Sequence, residues 1–361
     1  MFMKIEEIDK NFGVETVITE PDIVWLNVRQ APFAICGIIY DEAHGCYTRM
    51  PHEVAKLVSE KVGLLNFQTT GGRVRFCTDS SFIGIHAVME NNKPMSHVAF
   101  LAQSGFDLYR KKAGKCLERF CHSFIPPINM CNGYSSSFYS DGVLAEYTLN
   151  FPLFDGVKEL YIALKKDALL LEAKPYKYSL PIVYYGSSIT QAACASRPGN
   201  SYQAIISRRF DTDYINLGFA GNCKAEAMMV QYLANLKMSV FVCDYDHNTP
   251  DVEYLYKTHL PLYRSIRAKQ PNLPIVFLSA PTIIANIEEF TARREIIRET
   301  YQKALDEGDE NVYFIDGGEL FAGEDWDSCT IDGVHPNDLG FYRMARRIEK
   351  ELVPLLNDAI I

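Results

Sequence analysis

The stretch IVYYGSS, residues 182–188, is an apolar run that ends in a glycine and two serines. Such a run is typical of a strand that is buried on both faces of a parallel sheet. A strand of this kind brings its last residues to the carboxyl edge of the sheet, where sites form in α/β folds. The stretch therefore predicts an α/β domain with a hydroxyl group at its functional edge.

Strand-like and helix-like segments alternate from Leu180 onward, which indicates parallel βαβ crossovers in a three-layer α/β/α sandwich. Five strands are predicted, at residues 182–185, 214–217, 240–244, 275–279 and 312–315. Helices are predicted between and after them, at residues 225–236, 260–269, 287–306 and 339–355. This C-terminal domain is expected to span residues 180–361.

Residues 22–166 alternate apolar and polar side chains with a period of two, with turn signals such as Thr-Gly-Gly at 70–72. The clearest strands are predicted at residues 73–79, 82–88, 146–149 and 159–164, and one helix-like piece at 52–58. The pattern predicts an all-β, jelly-roll-like sandwich that spans residues 1–175. A polar segment with a proline, residues 173–179, is the predicted linker.

The composition indicates a soluble protein of two globular domains. The chain has 361 residues, of which 48% are hydrophobic and 22% charged. Its formal net charge of −9 and its sequence pI near 5.5 disfavour nucleic acid and anionic membranes as partners, because both require a basic face. The pairs Arg293-Arg294 and Arg346-Arg347 are interpreted as helix-surface residues.

Ten cysteines are present, without a Cys-x-x-Cys motif or a spacing typical of zinc sites. Asp244 and Asp246 form a carboxylate pair without further metal-ligand residues nearby, so no metal is predicted. The first residues, 1–7, lack an apolar leader, and no apolar stretch is long enough to span a bilayer. We therefore expect a cytoplasmic protein with reduced thiols.

The two serines after the first strand could cap a helix, or one of them could be a nucleophile. A serine nucleophile requires an imidazole to accept its proton and a third group to fix the imidazole tautomer. The stretch DGVHP, residues 332–336, offers Asp332 and His335 from one short loop, just before the last predicted helix. This combination favours a Ser-His-Asp hydrolase in which Ser188 attacks.

Four short blocks in fixed order resemble those of the SGNH (GDSL-type) hydrolases, a family of serine esterases and acylhydrolases. They are GSS at residues 186–188, NLGFAGN at 216–222, DYDHN at 244–248 and DGVHP at 332–336. Ser187 stands where the family usually has aspartate. In addition, GFDLY at residues 105–109 is similar to the Gly-x-Asp-Leu-Tyr signature of a module that precedes some SGNH domains.

The resemblance implies a flavodoxin-like C-terminal domain and a role for each matched residue. Ser188 is expected to be the nucleophile, His335 its base and Asp332 the group that orients the base. The backbone N–H groups of Ser188 and Gly221 and the side chain of Asn248 are expected to form the oxyanion hole. No cofactor is implied.

Two further residues near these blocks allow more than one interpretation. Arg197, between the nucleophile and the next predicted helix, is either a substrate contact or a solvated loop arginine. His247, beside Asn248, is either a second base or a residue that hydrogen-bonds its own loop.

The expected function is hydrolysis of a short-chain ester, with an acetylated carbohydrate as the preferred substrate by analogy with similar two-domain enzymes. One alternative is a catalytically silent carbohydrate-binding protein, and another is a thioesterase or lipid acylhydrolase with the same triad. Phosphoester cleavage is disfavoured because it would require a metal or a basic cradle. The expected partner is a small-molecule or oligosaccharide ester, with homo-oligomerisation left open.

Overall fold

The computed structural model describes residues 17–90, 93–112, 114–115, 117–281 and 287–358. The first residues, on which the expectation of a missing leader depends, lie outside these ranges. The chain forms an antiparallel β-sandwich followed by a parallel α/β domain, which confirms the predicted fold class.

The N-terminal sandwich consists of two antiparallel sheets, with strand orders β1-β11-β6-β9 and β12-β5-β10-β7-β8, and β2 also pairs with β5. A separate hairpin joins β3 to β4. The strands are β1 (Ile23–Asn27), β2 (Ala34–Cys36), β3 (Ile39–Asp41), β4 (Cys46–Thr48), β5 (Arg73–Thr78), β6 (Phe82–Met89), β7 (Phe106–Lys112), β8 (Arg119–Phe124), β9 (Gly133–Tyr139), β10 (Ala145–Asn150), β11 (Val157–Lys165) and β12 (Leu170–Leu171).

The C-terminal domain has five parallel strands in the order β14-β13-β15-β16-β17. The strands are β13 (Tyr178–Gly186), β14 (Thr212–Gly218), β15 (Val240–Asp244), β16 (Ile275–Leu278) and β17 (Val312–Ile315). Both faces of this sheet are covered, as alternate residues of β13 show. Ile182 and Tyr184 lie in the apolar core on one face, and Val183 and Tyr185 lie in the core on the other.

Eight α-helices are present in the described ranges, three of them in the N-terminal half. The N-terminal helices are α1 (His52–Val58), α2 (Glu60–Leu65) and α3 (Phe100–Ser104). The C-terminal helices are α4 (Tyr202–Phe210), α5 (Ala227–Asn235), α6 (Val252–Lys269), α7 (Ile287–Asp306) and α8 (Asp338–Asp358).

Helices α1 and α2 pack on the C-terminal domain rather than on the sandwich. Ala55 of α1 and Val62 of α2 are fully buried in one cluster with Tyr185 of β13 and Leu233 of α5. The other face of the C-terminal sheet also receives N-terminal residues, among them Leu153. The N-terminal half is therefore not built of strands alone, and its chain contributes to both cores of the α/β domain.

A buried arginine joins the halves close to the linker. Arg73 of β5 is 1% exposed, and its guanidinium lies 3.8 Å from the ring centroid of Tyr214. It is paired with the Asp213 carboxylate and donates a hydrogen bond to the carbonyl of Tyr214 at 3.0 Å. Tyr176, in the linker, accepts a further bond from the Arg73 Nε at 3.2 Å. These contacts fix the sandwich against the start of the parallel sheet.

Among the described residues, no helix is both long and apolar enough to cross a membrane. The cysteines of these ranges are free thiols, and five of them are buried, namely Cys46, Cys194, Cys223, Cys243 and Cys329.

Candidate active site

The nucleophile loop begins where β13 ends, at Gly186. A Cβ atom on Gly186 would lie 2.1 Å from the hydroxyl of Thr190 and 2.2 Å from the carbonyl oxygen of Asp244, so only glycine fits this close approach. Ser187, the next residue, is fully buried, and its hydroxyl accepts a hydrogen bond from the Ile189 N–H at 3.1 Å. Ser188 follows it and lies half-buried at the carboxyl edge of the sheet.

Ser188 and the loop before α8 meet at this edge. The Ser188 Oγ lies 2.9 Å from the Nε2 of His335, although the two residues are 147 positions apart in the chain. The other ring nitrogen of His335, Nδ1, lies 2.7 Å from a carboxylate oxygen of Asp332. This is the spatial order of nucleophile, base and orienting acid that a serine hydrolase requires.

The Asp332 carboxylate is held by its own loop. Its second oxygen accepts the backbone N–H groups of Val334 at 3.0 Å and His335 at 2.7 Å. Partial burial by itself would raise the pKa of Asp332, but the hydrogen bonds from the His335 ring and from these two N–H groups outweigh it and lower the pKa. The carboxylate is thus kept ionised, and it holds the proton of a neutral His335 on Nδ1.

Three N–H donors lie on the loops that follow β13, β14 and β15 at the carboxyl edge of the sheet. Gly221, in the loop after β14, is exposed and has a φ of +69°, a conformation that favours glycine. The side-chain oxygen of Asn248 accepts the N–H of Cys223 at 3.2 Å, which turns its amide N–H₂ the other way. Within the described chain, the backbone N–H of Ser188, that of Gly221 and the Asn248 amide donate to no protein acceptor. These donors are free to bind an incoming oxygen.

The Asn248 loop is anchored by a buried carboxylate and a buried arginine. Asp246 accepts the N–H groups of Ala280 and His247, both at 2.9 Å, and burial raises its pKa to about 6. Arg293 of α7 donates to the Asp246 carbonyl and to Thr249. The interpretation of Arg293 as a helix-surface residue is wrong, since only 3% of it is exposed.

The imidazole ring of His247 is packed against an aromatic side chain. Its ring lies 5.0 Å from that of Phe290, centroid to centroid, and its buried Nε2 has no partner among the described residues. Burial, with smaller contributions from the charges of His335 and Arg293, lowers the pKa of His247 to about 3. The ring is therefore neutral near pH 7.

Arg197 binds the N-terminal half. Its guanidinium donates to the Asp107 carboxylate at 2.9 Å and to the hydroxyl of Tyr109, and it lies 4.1 Å from the ring centroid of Phe120. Arg197 thus forms an ion pair between the two halves, a contact that neither sequence-based interpretation, substrate contact or solvated loop residue, included.

Two residues of the N-terminal half reach the site and carried no signal in the sequence. The exposed ring of His97 lies 5.9 Å from that of His335, centroid to centroid. Arg49 is 3% exposed, donates to the carbonyl of Gly218 and lies 4.1 Å from the ring centroid of Phe219, in the block that carries Gly221. Both are isolated polar residues far away in sequence, and only the packing of the two halves brings them here.

Among the described residues, no three His, Cys, Asp or Glu side chains are grouped so that they could hold a metal ion.

Comparisons with known proteins match both halves. Residues 179–353 match the GDSL-like lipase/acylhydrolase family, and residues 23–170 match the N-terminal module of SGNH-hydrolase-type esterases, which carries the GxDLY signature. No curated protein matches the sequence.

Solved structures show the same two-part architecture. A GDSL-like lipase from Bacteroides ovatus is 27% identical, with a TM-score of 0.82, 93% of this chain covered and 98% of that one. The salicylyl-acyltransferase SsfX3 from a tetracycline biosynthetic pathway is 19% identical, with a TM-score of 0.73 and the same coverages. A family two carbohydrate esterase from Cellvibrio japonicus is 10% identical, with a TM-score of 0.61, and covers the same shares. The last two likenesses show the fold alone.

Proposed function

Since this chain belongs to the GDSL-like lipase/acylhydrolase family and is an ester hydrolase, we propose that Ser188, His335 and Asp332 are its catalytic triad. The observation that carries the proposal is the pair of contacts at 2.9 and 2.7 Å that joins these three side chains. The proposed reaction is hydrolysis of a short-chain ester through an acyl-enzyme.

In the first half-reaction, the Ser188 Oγ attacks the ester carbonyl and His335 takes its proton. The resulting oxyanion is bound by the N–H groups of Ser188 and Gly221 and by the Asn248 amide. The intermediate then collapses, the bond to the alcohol oxygen breaks, and His335 returns the proton to the leaving alcohol. The acyl group remains on Ser188.

In the second half-reaction, His335 takes a proton from water, and the hydroxide oxygen attacks the acyl carbon. Collapse of this second tetrahedral intermediate releases the carboxylic acid and restores the Ser188 hydroxyl with the proton held by His335. Asp332 fixes the ring throughout and stabilises the imidazolium in both steps.

We propose an acetylated carbohydrate as the preferred substrate. The architecture is shared with a family two carbohydrate esterase, and this likeness supports the assignment by analogy. The exposed His97 ring beside His335 gives the mouth of the site a polar side chain, which favours a hydroxyl-rich alcohol over a lipid.

Ser187 and Ser188 are adjacent in the chain, so their substitutions provide a matched test of which one is the nucleophile. We expect Ser188→Ala to lower kcat on p-nitrophenyl acetate by about 1000-fold or more, because the members of a triad act as a unit. Ser187→Ala is the control, since its hydroxyl is buried and bonded to a backbone N–H. An equal loss in both variants, or substantial activity left in Ser188→Ala, would contradict the assignment.

The substrate class is tested separately on wild-type enzyme. Rates on p-nitrophenyl acetate, butyrate and octanoate are compared, and a panel of acetylated oligosaccharides is screened for acetate release. We expect acetate to be preferred. A preference for octanoate would favour a lipid acylhydrolase, and sugar binding without acetate release would favour the silent carbohydrate-binding alternative. Transfer of the acyl group to an added alcohol in preference to water would indicate an acyltransferase.

A further inference from the structure

Strand β7 begins at the second residue of the GxDLY signature, Phe106, and presents two different faces. Phe106 and Leu108 are fully buried in the core of the sandwich. Asp107 and Tyr109 alternate with them and point to residues 196–200 of the C-terminal domain. The signature therefore combines two core residues with two residues that contact the loop after the nucleophile.

Asp107 is fully buried and binds this loop at two places. One carboxylate oxygen accepts the Arg197 guanidinium at 2.9 Å and the backbone N–H of Gly199 at 2.8 Å, and the other accepts the Asn150 amide at 2.8 Å. A Cβ atom on Gly199 would lie 2.4 Å from the Tyr109 ring and 2.8 Å from the Asp107 carboxylate. Only glycine therefore fits at position 199 against these two side chains.

Tyr109 binds the same loop as Asp107. Its hydroxyl accepts a hydrogen bond from Arg197 and donates one to the carbonyl of Gly199 at 3.4 Å. The guanidinium of Arg208, from α4, lies 3.9 Å from the centroid of its ring. Both polar members of the signature thus hold the same short segment.

The opposite side of that segment is bound to the start of α8. The carboxylate of Asp338 accepts the backbone N–H of Ser196 at 2.8 Å, the Ser196 hydroxyl at 2.5 Å and the Asn200 amide at 2.8 Å. Asp338 is the first residue of α8 and follows His335 by three positions. Residues 196–200 therefore bridge Asp107 of the sandwich and the loop that carries the base.

We infer that the Asp107–Arg197 pair is a positioning device of the N-terminal module, which holds His335 in place through residues 196–200 and Asp338. The inference rests on the proposed role of His335. Neither Asp107 nor Arg197 has a hydrogen bond or ion pair with Ser188 or His335, so both are positioning residues and not catalytic ones. In this role, Arg197 binds Asp107 and is not a substrate contact.

The test compares Asp107→Asn with Asp141→Asn. Asp141 pairs with Arg110 and Lys112 at the surface of the same sandwich and does not contact residues 196–200. For p-nitrophenyl acetate, we expect Asp107→Asn to lower kcat by about 10- to 100-fold, since a displacement of about 1 Å in a catalytic group has effects of this size. KM should change little, and Asp141→Asn should leave both constants unchanged.

A double variant tests whether the pair acts as a unit. If Asp107 and Arg197 act only through each other, Asp107→Asn with Arg197→Gln should be about as active as either single variant. Additive losses would contradict a common role. A rise in KM with an unchanged kcat would also overturn the inference, because it would make Arg197 a substrate contact.

Hydrogen exchange gives a readout that does not depend on activity. Asp107→Asn should increase exchange in residues 193–200 and 328–340, and Asp141→Asn should not. If the wild type hydrolyses no ester, the proposed function fails, and the exchange data still decide whether Asp107 holds the loop. Unchanged exchange and an unchanged kcat would overturn the inference.

If Asp107→Asn does not fold, the inference is tested at Asp338, which binds residues 196–200 from the side opposite to Asp107. Asp338→Ala removes three hydrogen bonds to residues 196–200 from a half-buried carboxylate that has no cationic partner among the described ion pairs. It should lower kcat and increase exchange in residues 193–200 in the same way, and no change in either would contradict the bridge.

Discussion

His259 of α6 is a buried imidazole whose charge state is set by its surroundings. Its ring is stacked on Tyr245 at 5.8 Å and lies 4.8 Å from Phe277, and its Nδ1 has no partner among the described residues. Burial lowers the pKa of His259 to about 3. The folded protein therefore keeps this ring neutral, whereas the unfolded chain protonates it at about pH 6.5.

The sign of the pH effect follows from this difference. Because the unfolded state binds the extra proton, the contribution of His259 to stability is complete above about pH 6.5 and is lost as the pH falls toward 3. We predict that His259→Phe reduces the loss of stability between about pH 6.5 and pH 4.5, by up to about 1.4 kcal/mol per pH unit. Urea unfolding at several pH values measures it.

The alkaline side provides the control: above about pH 7 the ring of His259 is neutral in the folded and in the unfolded state, so wild type and His259→Phe should show parallel pH dependences there. Some acid sensitivity should remain in His259→Phe, because the pKa of His247 is lowered as well. Identical slopes on the acid side for wild type and His259→Phe would contradict the assignment of the effect to this ring.

Asn248 carries a second prediction at the scale of one residue. If its amide binds the oxyanion, Asn248→Ala should lower kcat by about 100- to 1000-fold, the usual effect of losing one such donor. Unfolding of the variant by urea should change little, because Asn248 is half-buried and its side chain has a single hydrogen bond among the described residues, from the Cys223 N–H. Asn235→Ala, at the exposed end of α5, is the control. A fall in stability that matches the fall in rate would make Asn248 structural.

At the scale of elements, the fully buried valine of α2 helps to link the two halves. Val62 is fully buried in the cluster that contains Tyr185 and Leu233, while Leu64 on the same helix is 65% exposed. We predict that Val62→Ala lowers the free energy of unfolding by about 2 kcal/mol, because it removes two buried methyl groups. Leu64→Ala should have almost no effect. Equal effects of the two substitutions in urea unfolding would contradict the packing of α2 on the α/β domain.

Elements with a local signal could be predicted from the sequence. The apolar run before Gly186 predicted the end of β13, and the spacing of Asp332 and His335 predicted residues of one loop, because both depend on neighbours in the chain. The packing of α1 and α2 depends on partners in α5, far along the sequence, and their short patterns resemble any amphipathic surface turn. For the same reason, neither Arg49 nor His97 could be assigned to the site from the sequence.

At the scale of the whole molecule, the N-terminal half is an integral part of the fold. A chain that begins at Lys174 would lose Ala55 and Val62 from one core and Leu153 from the other, and would leave Arg197 without Asp107. We predict that this truncated chain is insoluble, or that it loses activity on its natural ester more than on p-nitrophenyl acetate. Size-exclusion chromatography and rates on both substrates measure it, and a soluble truncation with full activity on both would show an independent module.

His97 extends the site into the N-terminal half, and its replacement tests that contact. We predict that His97→Ala raises KM for an acetylated oligosaccharide and leaves p-nitrophenyl acetate nearly unaffected, because the ring stands beside His335 and is free to meet the alcohol part of a larger substrate. His44→Ala, at the far hairpin, is the control. An equal loss on both substrates would indicate that His97 acts on His335 instead.

The buried contacts between the halves imply that the peptide bond of the linker is dispensable for assembly. Two apolar cores, the buried Arg49 and Arg73 and the half-buried Arg197 hold the halves together without the connection at Tyr176. Two separately translated fragments, divided near Lys174, should thus find each other and restore esterase activity by complementation. In such a pair, the N-terminal fragment would act in trans as a dedicated chaperone for the folding of the catalytic fragment.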